Sequence, residues 1–262
     1  MTDKTTLPLD VRLMNALTAL LLGVAALACV AVALAWTVRQ PVFDIRGLHI
    51  VGDATHYNAI TLRANVLSRL CGTFFTLDLA TAKRSFEVLP WVRQAVVQRE
   101  FPNRLRVALQ EHQAVAFWGS EGDVRLLNSY GEVFDANVGE LDREDLPRLN
   151  GPLEQSAQVL AMYQTLQTHF GRLDLGMSVL ELTPRGGWHA ELDTGTTVEL
   201  GGGSVPEVLA RADNFLRTVT QVAARYQRTP EQLASVDLRH TDGYALRLEG
   251  VATLDGTGGK QQ

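Results

Sequence analysis

The sequence predicts an α+β protein carried on one transmembrane helix, and three observations predict it. Leu13 to Val38, LMNALTALLLGVAALACVAVALAWTV, runs for 26 residues without a charge. Residues 41–113 switch between strand-period and helix-period apolar patterns in the order strand, helix, helix, strand, strand. From residue 114 onward, short strands separated by Gly, Asp and Asn are interrupted by two long helical stripes.

The uncharged stretch comes first. At about 1.5 Å per residue it exceeds the roughly 30 Å of a hydrocarbon core, where only a helix satisfies every backbone polar group of a single span. A secretory signal has a shorter apolar core and a small-residue cleavage site. Trp36-Thr37-Val38-Arg39-Gln40-Pro41 offers no such site. A buried helix of a soluble domain is rarely apolar on every face for so long. Trp36 suits the interfacial belt, and Pro41 marks where the helix has already ended. Orientation is not set by charge: Lys4 and Arg12 are offset by Asp3 and Asp10, and Arg39 and Arg46 follow the span. The short polar tail, residues 1–12, favours the inner side.

Composition excludes some functions. With 24 Lys and Arg against 29 Asp and Glu, the net charge of -5 gives no basic surface for nucleic acid. Cys29 lies within the span and Cys71 stands alone beyond it, so no intrachain disulfide is expected, and Cys71 is expected to be a buried thiol. The 222 residues after Gln40 exceed one typical domain and divide into 41–113 and 114–250, with 251–262 as a disordered tail.

In the first unit, VFDIRGLHIVG reads as a strand from Val42 to Gly52. Ile60 to Leu70 carries a helical stripe that ends at Cys71-Gly72. Leu79 to Leu89 is a second helix, with Asp78 as its cap, Ala82, Phe86 and Leu89 inward, and Pro90 as a stop. Val92 to Arg99 and Leu105 to Gln110 form a hairpin across Phe101-Pro102-Asn103. In the second unit, strands are expected at Ala114 to Trp118, Val124 to Asn128 and Glu132 to Phe134, followed by a loop over Leu146 to Pro152. Leu153 to His169 is a helix, and strands follow at Leu175 to Thr183, Trp188 to Leu192 and Thr197 to Leu200. Pro206 opens a long helix to Tyr226, with Leu209, Ala212, Phe215, Leu216, Val219, Val222, Ala223 and Tyr226 along one side. Ser235 to Leu238 and Tyr244 to Leu248 close the chain as a hairpin around Asp242-Gly243.

No catalytic constellation emerges. The histidines at 49, 56, 112, 169, 189 and 240 show no HExxH, no paired cysteines and no ligand spacing, so neither metal nor cofactor is expected. Gly201-Gly202-Gly203-Ser204 lacks the lysine of a nucleotide loop and reads as a strand-to-helix turn. Asp174, Glu181, Glu191 and Asp193 read as solvated carboxylates. Trp91, in Leu89-Pro90-Trp91-Val92, fits a recognition patch and a core tryptophan about equally. A final strand followed only by a polar tail is a candidate open sheet edge, able to accept another chain's strand through main-chain hydrogen bonds. Arg247 and Glu249 would then be its charged, solvated face.

Several segments together resemble the FtsQ/DivIB cell-division family. These are Leu89-Pro90-Trp91-Val92-Arg93-Gln94-Ala95-Val96-Val97-Gln98-Arg99, Phe101-Pro102-Asn103-Arg104-Leu105-Arg106-Val107, Glu111 and Ala116-Phe117-Trp118-Gly119. Asn150-Gly151-Pro152 and the run from Val236 to Arg247 match two further signatures, and the anchor position agrees. The resemblance implies a bacterial inner-membrane, single-pass type II protein with its bulk in the periplasm, enriched at the division septum. It implies a POTRA domain over 41–113 and a mixed α/β "β domain" with an extended antiparallel sheet over 114–250. The implied role is non-enzymatic: a divisome scaffold linking early and late division proteins and binding FtsB and FtsL, and indirectly FtsW/FtsI. The contact positions carried over are His240, Asp242, Gly243 and Leu248, with Tyr244, Ala245, Leu246 and Arg247 in the pairing strand. Many relatives have Tyr at His240, Trp at Leu248 and a basic residue at Gly202, so this chain departs from the pattern at these positions, and Gln113-Ala114 replaces the family's usual residue-plus-proline. The alternative is a POTRA-containing accessory that holds unfolded β-strands during outer-membrane assembly or secretion. A membrane-tethered cell-wall enzyme ranks last.

Overall fold

A computed structural model describes residues 9–52, 55–56, 72–120, 122, 124–141, 145–240 and 243–250. Two compact units divide between Glu111 and His112.

The first unit begins with helix α1 (Leu9–Val38), one turn longer at its start than the uncharged stretch. Asp10 sits in that first turn, where a carboxylate complements the helix dipole. No residue of its apolar window is buried against the rest of the chain, as expected of a helix whose solvent is lipid. The Thr18 and Thr37 hydroxyls donate to the carbonyls of Met14 and Ala33, each at 2.8 Å, which removes their need for water.

The strand expected from Val42 begins only at Gly47. Pro41–Phe43 is instead a 3-10 turn, in which the Asp44 N–H donates to the Pro41 carbonyl at 3.1 Å. Proline fixes the first φ of this turn, and among the described residues the strand-type pairing of this stretch is an isolated bridge, Asp44 opposite Thr73, not a ladder. Strand β1 (Gly47–Gly52), helix α2 (Leu79–Glu87), strand β2 (Val92–Glu100) and strand β3 (Arg104–Glu111) follow. Asp78 caps α2 by accepting from the N–H groups of Ala80 and Thr81, at 3.0 and 3.2 Å. The sheet order is β1-β3-β2, with β1 parallel and β2 antiparallel to β3. Alternation along β3 sends Leu105, Val107 and Leu109 into a core shared with Leu48, Ala82, Phe86 and Ala95. Trp91 is 1% exposed, and its ring stacks on His56 at 3.8 Å. That settles the two readings of Trp91: it is a core residue and not a recognition patch. The expected helix Ile60 to Leu70, and Cys71, lie outside the described residues.

The second unit contains strands β4 (Ala114–Trp118), β5 (Arg125–Asn128), β6 (Val133–Phe134) and β7 (Arg148–Asn150), then helix α3 (Ser156–Phe170). Strands β8 (Met177–Leu182), β9 (Trp188–Leu192) and β10 (Thr197–Gly201) lead to helix α4 (Val205–Arg225), and strands β11 (Leu233–Asp237) and β12 (Ala245–Leu248) complete it. Among the described residues these nine strands form one sheet, ordered β12-β11-β10-β9-β8-β7-β4-β5-β6. Hairpin pairings are antiparallel; β10·β11, β7·β8 and β4·β7 are parallel.

Strand β7 corrects the loop expected over Leu146 to Pro152. Pro147 and Pro152 frame only four residues, too few for a period to show in sequence, yet Leu149 is fully buried between β4 and β8. Gly131, at φ +79°, lets the turn after β5 touch α3: a Cβ there would lie 2.5 Å from the Ala157 Cα. On α4 the buried stripe is Val208, Ala212, Phe215, Val219 and Ala223, while Tyr226 is exposed, so the core side lies one residue earlier in the first turn than the apolar count suggested.

Candidate protein-docking site

Among the described residues no group of three or more His, Cys, Asp or Glu could hold a metal ion. The His–carboxylate contacts are single pairs, such as His169 Nδ1 with Asp213 at 2.6 Å and His189 Nδ1 with Glu199 at 3.0 Å. The feature that stands out chemically is the end of the large sheet.

Strand β12 is the terminal strand of that sheet and pairs only with β11 among the described residues, Val236 opposite Leu246 and Asp237 opposite Ala245. The Glu249 N–H donates toward the β11 side, to the Gln232 carbonyl at 3.0 Å. Backbone groups alternate direction along a strand, so Arg247 and Ala245 also bond inward. Leu246 and Leu248 therefore aim their N–H and C=O at the open edge. Side chains follow a different axis. Ala245 and Arg247 are exposed on one face, while Leu246 is half-buried and Leu248 only 5% exposed on the other.

The link between β11 and β12 spans residues 238–244, one residue longer at each end than the 239–243 expected around Asp242-Gly243. Asp242 lies outside the described residues. Tyr244 pins the far end of this link: its ring meets Phe215 edge-on at 5.2 Å, and its hydroxyl lies 2.8 Å from the Thr218 hydroxyl of α4. Leu238, the exposed His240, Gly243 and Tyr244 face Ala210, Arg211 and Asn214 of α4 across a cleft of about 240 Å³. The structure thus brings His240, Gly243 and Tyr244 to one cleft beside β12, and puts the Leu248 side chain in the core.

Two groups escaped the sequence reading. Arg239 grips Asp237 with its guanidinium at 2.6 and 2.9 Å and its backbone N–H at 3.0 Å. The guanidinium hydrogen bond is the main reason the Asp237 carboxyl is held down at about 2, below its ordinary 3.8. The i, i+2 spacing of an Asp and an Arg at a strand end was the available signal. Arg211 donates to the carbonyls of Leu200 and Gly202 at 2.9 and 2.7 Å. A basic group therefore does serve the turn at Gly202, supplied from α4 and not from residue 202 itself.

A membrane helix followed by a small α/β unit and a mixed sheet with an open last strand defines a tethered binding platform. The description "POTRA domain, FtsQ-type" matches residues 43–112, and "Cell division protein FtsQ/DivIB, C-terminal" matches residues 116–239. The chain is 40% identical over 249 residues to the cell division protein FtsQ of Thiomonas arsenitoxydans, covering 94% of this chain and 90% of that one. It is 36% identical to that of Burkholderia pseudomallei (95% and 97% covered) and 27% identical to that of Neisseria meningitidis serogroup B (89% and 94% covered). The chain belongs to the FtsQ/DivIB family of cell-division proteins. It is a non-catalytic divisome scaffold of the inner membrane with a single span, built as a transmembrane helix, a POTRA domain and a β domain.

Proposed function

We propose that β12 docks a strand of FtsB, held in its complex with FtsL, and so couples this scaffold to the septal synthase FtsW/FtsI. The segment 1–12 lies in the cytoplasm and residues 41–262 in the periplasm, with the protein concentrated at the division septum. One observation carries the docking site: the last strand leaves the backbone groups of Leu246 and Leu248 unpaired at the sheet edge among the described residues. An incoming strand extends the sheet through these groups and meets Ala245 and Arg247 on the exposed face. The cleft lined by His240, Gly243 and Tyr244 receives the side chain that enters beside the strand. Asp242 is assigned to the same contact from its place in the link. The cell-division relatives support this role over an outer-membrane assembly accessory.

The experiment separates backbone from side chain. Leu246→Pro removes the outward N–H without touching a bond to β11, a place where an edge strand tolerates proline. Leu246→Ala removes the side chain and keeps the N–H. In a pull-down of the full chain with FtsB/FtsL, Leu246→Ala is expected to bind within a few-fold of the parent and Leu246→Pro at least tenfold more weakly. Equal binding by the two variants would place the docking site elsewhere.

A further inference from the structure

We propose that an aromatic ridge on the POTRA unit, Phe75 and Phe101, together with the exposed Val42 that precedes Phe43 in the chain, lies in the phospholipid headgroup layer where α1 leaves the membrane, so that this unit rests on the bilayer. The ridge is continuous: Phe43 meets Phe75 at 5.1 Å, Phe75 meets Phe74 at 5.2 Å and Phe74 meets Phe101 at 6.4 Å, all edge to face. Phe74 and Phe43 are wholly or partly covered, yet Phe75 is 48%, Val42 69% and Phe101 81% exposed. A contiguous apolar patch of this kind on a water-facing unit marks a protein or membrane contact.

The occupant follows from where the ridge is tied. The Thr73 hydroxyl donates to the carbonyl of Val38, the last residue of α1, at 2.9 Å. The Phe74 N–H donates to the Phe43 carbonyl at 2.7 Å, and Arg99 holds the carbonyls of Phe74 and Leu77 at 2.6 and 2.7 Å. The uncharged part of α1 measures about 39 Å at 1.5 Å per residue, against about 30 Å of hydrocarbon and 40–45 Å with headgroups. Val38 therefore falls in the headgroup layer, and a loop hydrogen-bonded to it lies at that depth. Phenylalanine on the apolar face of an interfacial segment buries at this headgroup–acyl boundary. Arg39, Arg46 and Arg104 are exposed near the same end and carry no ion pair among the described residues, which leaves them for lipid phosphate.

The full chain in nanodiscs whose phospholipids carry bromine near the headgroup end of the acyl chains tests this. Phe75→Trp and Phe101→Trp each add an emitter on the ridge. Val88→Trp adds one at an exposed site at the other end of β2, about 27 Å along the strand. After subtraction of the parent signal, the ridge reporters are expected to lose at least twice as large a fraction of their emission to bromolipid as the Val88 reporter. Loss at both ridge sites no greater than at the control would overturn the proposal. Bromine is carried by the lipid alone, so a protein occupant cannot produce the quenching.

Discussion

At Leu248 the backbone and the side chain serve different ends. The backbone faces the open edge, while the side chain packs into the core of the second unit. Leu248→Ala should cost about 2–5 kcal/mol, the range for truncating a buried leucine, and Leu248→Asp more, because it buries a carboxylate without a partner. Thermal melts of the full chain in detergent check both. If Leu248→Asp leaves the melt unchanged, the side chain is not in the core. Asp237 gives a second expectation. Its carboxyl is held at about 2 in the folded chain against 3.8 ordinarily, so the unfolded chain takes up the proton first as pH falls. The stabilisation is complete above about pH 4 and is lost through about pH 2. Asp237→Asn should lower the melting temperature by roughly 1–2 °C at pH 6, the scale of a partly exposed pair, and the gap should close toward pH 2.

At the scale of elements, Tyr244 pins the far end of the 238–244 link. Tyr244→Phe keeps the ring against Phe215 and loses the hydroxyl contact with Thr218, a net loss of about 1 kcal/mol. Faster amide exchange at residues 243–248, with the exchange of β8 and β9 unchanged, is the expected result. Elements with a full period were legible in sequence. The alternation Leu105, Val107, Leu109 gives β3, Asp78 before an amphipathic run gives α2, and the proline-opened stripe gives α4. Elements made by long-range pairing were not. β7 has three residues and exists because β4 and β8 flank it, and the start of β1 is set by the bond that the turn at Pro41 makes to itself. At the site, the terminal strand was legible from Tyr244 to Leu248. Which backbone groups it leaves open depends on its register against β11, and the clamps from Arg211 and Arg239 depend on neighbours brought in by folding.

At the scale of the whole chain, the two units keep separate cores. Phe86, Ala82, Leu105 and Val107 form one buried cluster; Leu166, Phe170, Phe215 and Val236 belong to another. The two clusters share no residue, and a cavity in one removes contacts only from its own set. Phe86→Ala should destabilise the POTRA unit by about 3–5 kcal/mol. Amides of β2 and β3 should then exchange faster, while those of β8 to β10 keep their protection. Leu166→Ala should do the reverse, at about 2–5 kcal/mol. Exchange measured on the full chain in nanodiscs resolves the two sets of strands in one experiment. Faster exchange in both sets from either single change would mean that the chain unfolds as one cooperative body. If protection instead responds unit by unit, partner docking at β12 can be read independently of mutations in the POTRA core, which makes Phe86→Ala a control for any loss of binding assigned to the sheet edge.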